Sequence, residues 1–478
     1  MSVLDPACAG LLPLLPERED APALRDEQAA RWITRGELRR QALAVAAALN
    51  WPRKALVFLL VSNRSATVIG LLGAAAAGHA VAPIDHGLDS SKIQALVDAY
   101  DPDFILSTAP IAGLTARRVA DDAVWLATLE AKDHTPIAAD LLLLLSTSGT
   151  TGSSKFVRLS QGAVSSNARQ IAQALGITAH DVGIGHLPLH YSYGMSVLTS
   201  HFACGAGVSL MDDALTGSQF WPKVHEAGGT HFPGVPFHYA VLARLGLGQV
   251  PPSVTTFTQA GGALDVHLQQ KLQGGVAARG GRFFVMYGQT EAAPRMTTLP
   301  NSRFAAKIGS VGVALDQSRL EIHDETGRRL PPNETGTVHF YGPNVMQGYA
   351  LSRSELGGGD ELQGHLDTGD LGYLDSEGYL YISGRTQRFA KIAGLRLGLD
   401  EIEAQIAPIA SVAALARGEK ISIFFEAGGE ADLKAKLKAM AADYKILPAS
   451  FVLRAVDALP RKASGKIDYA RLKKLDDV

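Results

Sequence analysis

LLLLLSTSGTTGSSKFVRLS, residues 141–160, is the stretch on which the reading of this chain turns. Five leucines fit a short buried strand. The polar run that follows at once places Ser146, Thr147, Ser148, Gly149, Thr150, Thr151, Gly152, Ser153 and Ser154 ahead of Lys155. So many hydroxyls and glycines cannot build a core. They can present backbone N–H groups and rotatable O–H donors around a polyphosphate, with Lys155 adding a point charge. The spacing is G-x-x-G-x-x-K, whereas a Walker loop needs G-x-x-x-x-G-K-[ST], so a P-loop NTPase is set aside. An ordinary strand-to-helix loop is the plainer alternative, and the density of Ser and Thr before a lysine favours phosphate.

Outward from this stretch, helical and strand periods alternate. GELRRQALAVAAALN (36–50) is amphipathic at helical spacing, ALVFLLV (55–61) is a short apolar run, and ATVIGLLGAAAAG (66–78) is helical again. After residue 140 the alternation returns, with GVSLM (207–211) as a strand and LTGSQFWPKVHEAG (215–228) and LDVHLQQKLQG (264–274) as helices. This is the pattern of an α/β fold with a parallel sheet. From about Leu320 to Ser383 short strands punctuated by turns, RLEIHDETGRRL, TGTVHFYG and GYLYISG, predict an antiparallel or barrel-like piece. Residues 385–478 carry 17 Lys+Arg against 12 Asp+Glu, net +5, which leaves 28 against 35, net −7, for residues 1–384. The expected domains are therefore 1–384 and a basic 385–478 of alternating helix and strand.

The 478 residues call for two or three folding units, and 46% hydrophobic with 19% charged residues suits a large buried core. With 45 Lys+Arg against 47 Asp+Glu, neither disorder nor general nucleic-acid binding is expected. Two distant cysteines, Cys8 and Cys204, fit neither a disulfide framework nor a zinc pattern. The N-terminus has no basic region ahead of its apolar stretch, and the longest apolar run, 68–83, is shorter than a membrane span. A cytoplasmic enzyme without a membrane span is the expectation.

Three further segments carry candidate chemistry. RFFVMYGQTEAAPRM (282–296) is an apolar strand ending in Tyr287, Gly288, Gln289, Thr290 and Glu291, and ligands of open α/β sheets bind outside the carboxyl ends of strands. Glu291 is of the type that holds Mg²⁺ beside phosphate oxygens, although a strand-end glutamate is also a common solvated or capping residue. HLDTGDLGYLDSEGYLYISGR (365–385) puts Asp370 in a Gly-rich turn, where a carboxylate can accept from a ribose diol. In LPRKASGKIDYARL (459–472), Lys466 follows Gly465 in a polar loop, and alone it reads as a surface lysine.

Together, in this order, the four segments resemble the AMP-forming adenylating superfamily of acyl- and aryl-CoA synthetases, nonribosomal peptide adenylation domains and firefly luciferase, from about Gly36 to Leu472. The resemblance implies a large N-terminal domain of layered α/β subdomains plus a small distorted β-barrel, followed by a small mobile α+β domain. It implies Mg-ATP-dependent conversion of a carboxylic acid to acyl-AMP, then transfer to the thiol of CoA or of a carrier-protein phosphopantetheine. Ser148, Thr150, Thr151, Gly152 and Lys155 match the pyrophosphate loop, and Gly261 and Gly262 of TQAGGAL line the nucleotide and acyl cleft. Tyr287 beside Gly288 would stack on adenine, Thr290 bind phosphate and Glu291 hold Mg²⁺. Asp370 and Arg385 would hold the ribose, and Lys466 would bridge carboxylate and α-phosphate oxygens. Gln387 falls at the hinge, commonly Asp or Lys in the family. Lys391 falls on the thioesterification loop and Gly394 on the pantetheine tunnel.

HLPLHYSYGMS (186–196) matches the segment that begins the acyl pocket, with His190, Tyr191 and Tyr193 as walls beside Gly261 and Gly288. It lacks the aspartate that pairs with an α-amino group in amino-acid-activating members, so the expected substrate is an aryl or short-to-medium acyl acid with an uncharged tail. Ser154, Phe156, Gln387 and Arg388 depart from the family pattern, and 94 residues from Arg385 onward make a short C-terminal domain. Gln387 and this short tail motivate the alternative, a catalytically degenerate nucleotide-binding protein of the same fold. The acceptor stays open between CoA and an acyl carrier protein.

Overall fold

Strand Leu141–Ser146 lies inside an eight-stranded sheet, with Ala80–Asp85, Leu56–Val61 and Phe104–Ser107 following it in parallel register. On its other side Phe156–Ser160 pairs with it antiparallel, and Gly348–Ala350 pairs antiparallel with that strand in turn. A computed structural model, the structure describes residues 10–16, 18–26, 31–111, 113–121, 123–129, 133–146, 155–385, 389–392, 395–418, 420–426, 428–444, 446–461 and 467–476.

A second, nine-stranded sheet is built from the same kind of unit. Val182–Gly185, Gly207–Leu210, His231–Gly234, Thr256–Gln259 and Arg282–Gly288 run parallel, and Arg295–Leu299 turns back antiparallel against the last of them. Three helices between strands of the two sheets begin where the sequence supplies a cap. Thr34 and Glu37 form a reciprocal capping box at the start of Arg35–Ala48, Ser160 caps Gln161–Leu175, and Asp265 caps Val266–Ala277. Among the described residues no helix is long and apolar enough to cross a membrane.

The described residues group into two compact units, one drawn from 10–146, 155–319 and 340–366, the other from 320–339 and 367–476. The strands Arg319–His323, Gly336–Tyr341, His365–Leu374 and Leu380–Arg385 form a four-stranded sheet. One expectation is corrected here. Asp370 does not lie in a turn but inside the ten-residue strand His365–Leu374. The glycines read as turn punctuation serve the strand instead: Gly369 takes φ +66°, and the pairing with Leu380–Arg385 shifts register between Leu371 and Gly372. In the second unit, Val412–Arg417, Lys420–Glu426 and Phe451–Val456 form a three-stranded sheet, and the helices Leu399–Ile406 and Glu430–Asp443 join it around a core that includes Ile402, Ile423, Leu433 and Leu437.

The first unit buries several histidines as neutral aromatic rings. His186 stacks on Phe232 with centroids 5.0 Å apart and meets Phe220 edge-on. Burial pushes His186 down to about 3, and His201 and His238 to about 4. The unfolded chain binds these protons near the ordinary imidazole value of about 6.5. Stability contributed by neutral burial is therefore full above that value and is lost as pH falls toward 4. Each histidine contributes a slope of up to about 1.4 kcal/mol per pH unit within that window. The urea midpoint should fall steadily from pH 7 to pH 4.5, and the fall should be shallower in His186→Phe, measured by circular dichroism.

Candidate active site

Two chain segments carrying sequence candidates meet in the first unit, at the carboxyl ends of strands from both large sheets. Lys155 immediately precedes Phe156, the register partner of Ser146 at the end of the leucine strand. Thr290 and Glu291 follow the end of Arg282–Gly288 in a single 3₁₀ turn, Thr290–Ala292. Between them stands a residue that sequence reasoning did not select. Tyr349 has its ring under the Lys155 ammonium at 3.8 Å, while its hydroxyl donates to Glu291 Oε1 at 2.8 Å. One aromatic side chain thus holds a cation on its face and a carboxylate at its tip.

The backbone around this bridge is fixed from both sheets. Arg158, fully buried on the strand after Lys155, donates to the carbonyls of Tyr349 (3.1 Å), Gly358 (2.5 Å) and Gln347 (3.3 Å) and pairs with Glu361. From the other side, the Met346 N–H donates to the Glu291 carbonyl at 2.9 Å, and Asn344 Nδ2 donates to the carbonyls of Ala292 and Arg295. Gly288 is required sterically, because a β-carbon there would lie 1.9 Å from the Pro294 carbonyl oxygen.

Thr290 Oγ1 lies 3.1 Å from Ser192 Oγ, so a second hydroxyl joins the strand end. Tyr191 is the wall nearest to the TQAGGAL segment: a β-carbon on Gly261 would come within 2.5 Å of its hydroxyl. Gly262 is exposed, and its carbonyl accepts from Gln259 Nε2 at 2.7 Å. Burial raises the Tyr191 phenol, opposed by the nearby Arg295 charge. Tyr193 lies deeper, its hydroxyl bonded to Thr258, and burial is the main cause that pushes it up to about 12. His190 is half-buried with Nε2 3.9 Å from Asp85 Oδ2, and burial holds its imidazole below the ordinary value despite that carboxylate. Tyr287 stands at the strand end, with Gln289 Nε2 3.4 Å from its hydroxyl.

In the second unit Asp370 is buried and is the register partner of Arg385. Lys391 lies in the hairpin formed by Phe389–Ile392 and Leu395–Gly398. Ser148, Thr150, Thr151, Gly152, Gln387, Gly394 and Lys466 lie outside the described residues.

The AMP-binding enzyme family model matches residues 15–350, more than half of the chain and all of the site segments of the first unit. The chain belongs to the AMP-binding enzyme family. It is similar to the oxalate–CoA ligase of Arabidopsis thaliana, 30% identical over 69% of this chain and 66% of that protein. It is also similar to the 2-succinylbenzoate–CoA ligase of Bacillus velezensis, 31% identical over 70% of this chain and 69% of that protein. Among solved structures, the O-succinylbenzoate CoA synthetase MenE of Bacillus subtilis, in complex with ATP and a magnesium ion, superposes with a TM-score of 0.78. It is 25% identical, over 97% of this chain and 98% of that one. The protein is an adenylate-forming enzyme of the acid–thiol ligase class.

The donor set suits a magnesium ion bound with nucleotide. Glu291 keeps one carboxylate oxygen on Tyr349 and leaves Oε2 with no hydrogen bond among the described residues. A single carboxylate beside a phosphate-binding lysine is the usual protein share of such a site. Removing the Tyr349 hydroxyl while keeping its ring should disturb the carboxylate and spare the lysine contact. Tyr349→Phe should lower acid-dependent ATP–pyrophosphate exchange about tenfold and raise the Mg²⁺ concentration needed for half-maximal rate, with the urea midpoint unchanged. Exchange rates measured across a magnesium titration check this.

Proposed function

We propose that this protein activates a carboxylic acid that is not an α-amino acid, forming acyl-AMP and then a CoA thioester, with the residue roles set out below. The observation that carries the reading is the Lys155–Tyr349–Glu291 array at the converging strand ends. Lys155 neutralises phosphate oxygens, and Thr290 with Ser192 offers hydroxyl donors to the same group. Mg²⁺, held by Glu291, supplies further charge neutralisation on the phosphates.

In adenylation a carboxylate oxygen attacks the α-phosphorus and the bond to pyrophosphate breaks, so negative charge is redistributed among oxygens and no covalent enzyme intermediate is needed. Such a step depends on alignment and on cations already in place. Lys466 is the cation assigned to the reacting oxygens, Asp370 with Arg385 to the ribose, and Tyr287 to the adenine face. Ser148, Thr150, Thr151 and Gly152 complete the phosphate loop, and Gly261 and Gly262 line the cleft wall. His190, Tyr191 and Tyr193 belong to the acid pocket. In the thioester half, the thiol sulfur attacks the acyl carbonyl and AMP leaves. Lys391 and Gly394 serve this half after a movement of residues 385–478 about Gln387.

The relatives named above act on oxalate and on 2-succinylbenzoate, each with CoA. CoA is the acceptor proposed here, acting in the cytoplasm where it and ATP are supplied. An acyl carrier protein is the second acceptor, suggested by the basic balance of residues 385–478.

The reading is tested by pyrophosphate release from Mg-ATP across a panel of carboxylic acids, with CoA and with a phosphopantetheinylated carrier protein as acceptors. Acid-dependent exchange should appear with one acid class and fall roughly 10²–10³-fold in Lys466→Ala. Nucleotide binding without exchange for any acid would instead favour a degenerate member of the family.

A further inference from the structure

Arg158 is a buried charge that strand pairing alone does not require. It stands opposite Gly348 in the antiparallel pairing of Phe156–Ser160 with Gly348–Ala350, and its side chain is fully buried. Backbone hydrogen bonds would join these strands with any β-forming residue at 158. A desolvated guanidinium is placed there instead, and all three of its nitrogens are engaged. Nε donates to the Tyr349 carbonyl at 3.1 Å, Nη1 to that of Gly358 at 2.5 Å, and Nη2 to that of Gln347 at 3.3 Å and to Glu361.

Two glycines make room for the guanidinium. A β-carbon on Gly348, which has φ +139°, would lie 2.7 Å from Nη2, and one on Gly358 would lie 2.8 Å from Nη1. Glu361 meets the same segment twice, since its carboxylate pairs with Arg158 and its N–H donates to the Gln347 carbonyl at 2.9 Å. The Gln347 N–H returns to the Arg158 carbonyl at 2.8 Å. Replacing a buried ion pair by well-packed apolar residues is often neutral or stabilising, so stability alone does not account for this charge. Position does. The carbonyls it holds flank Gly348 and include that of Tyr349, whose ring lies under Lys155 and whose hydroxyl bonds Glu291.

We infer that Arg158 is a positioning residue of the adenylation step that acts through Tyr349, with Glu361 as its counter-ion, so that a solvent-facing carboxylate governs how Glu291 receives Mg²⁺. The inference rests on the ligase reading above and adds to it two residues that work through another side chain. With the Tyr349 carbonyl held, the hydroxyl stays on Glu291 Oε1 and orients the carboxylate. With that carbonyl released, ring and hydroxyl shift together.

The test is a double-mutant cycle on the full chain, with Arg158→Met and Tyr349→Phe alone and combined. Two quantities are read across a Mg²⁺ titration: ATP–pyrophosphate exchange with the acid that supports it best, and calorimetric binding of a non-hydrolysable ATP analogue. Arg158→Met should lower exchange about tenfold and raise the Mg²⁺ concentration for half-maximal rate, and adding Tyr349→Phe to it should lower exchange by less than about threefold more. Arg158→Lys, which keeps the charge without the planar fork, should recover part of the loss. Glu361→Ala, at a side chain 61% exposed, should raise the Mg²⁺ requirement about threefold, and it decides the question if Arg158→Met does not fold. A purely structural role would lower the urea midpoint and leave the Mg²⁺ requirement unchanged. That outcome, or single losses that multiply to about a hundredfold in the double variant, would overturn the inference. The two claims fail separately. Absence of exchange for every acid would sink the ligase reading, while the Mg²⁺ dependence of nucleotide binding still tests Arg158. An additive cycle in a chain that does exchange would sink the positioning role and leave the ligase.

Discussion

The short segment from Asn344 to Tyr349 is bonded to both large sheets, and the geometry around Lys155 and Glu291 follows from that double attachment. Arg158 grips it from the strand Phe156–Ser160 through the carbonyls of Gln347 and Tyr349, and beyond it reaches the Gly358 carbonyl and Glu361. Asn344 and the Met346 N–H grip the 3₁₀ turn that bears Glu291. A guanidinium buried to this degree must have its donors occupied, so the loop carbonyls cannot drift without leaving a charge unsolvated. The result is a Lys155 to Glu291 spacing set by rigid backbone on either side, with the Tyr349 ring as spacer. Preorganised charge of this kind does not have to reorganise when phosphate charge shifts during reaction.

The same arrangement bears on how the site treats its ligands. An ammonium on an aromatic face keeps its charge directed outward and remains available to an anion, whereas a direct pairing with Glu291 would neutralise both groups. Interposing Tyr349 keeps the lysine and the carboxylate from cancelling each other. Each charge is thereby kept available to a ligand of the opposite sign.

Much of this was legible in the sequence. The leucine strand, the alternation of helical and strand periods, and the polar cluster after Arg282–Gly288 all follow from local pattern, and the structure places them accordingly. Asp370 was misplaced because Thr-Gly-Asp is a turn signal locally, while strand pairing along residues 365–374 overrides it through a positive φ at Gly369. Tyr349 was invisible because a single aromatic in a three-residue edge strand has no local signature; its role exists only through pairing with the Phe156–Ser160 strand. Arg295 sits in plain view in AAPRM, yet an arginine after a loop reads as solvated. Only the fold shows it enclosed. His186 and His190 share an i, i+4 spacing, but the fold assigns His186 to an aromatic stack and leaves His190 near Asp85.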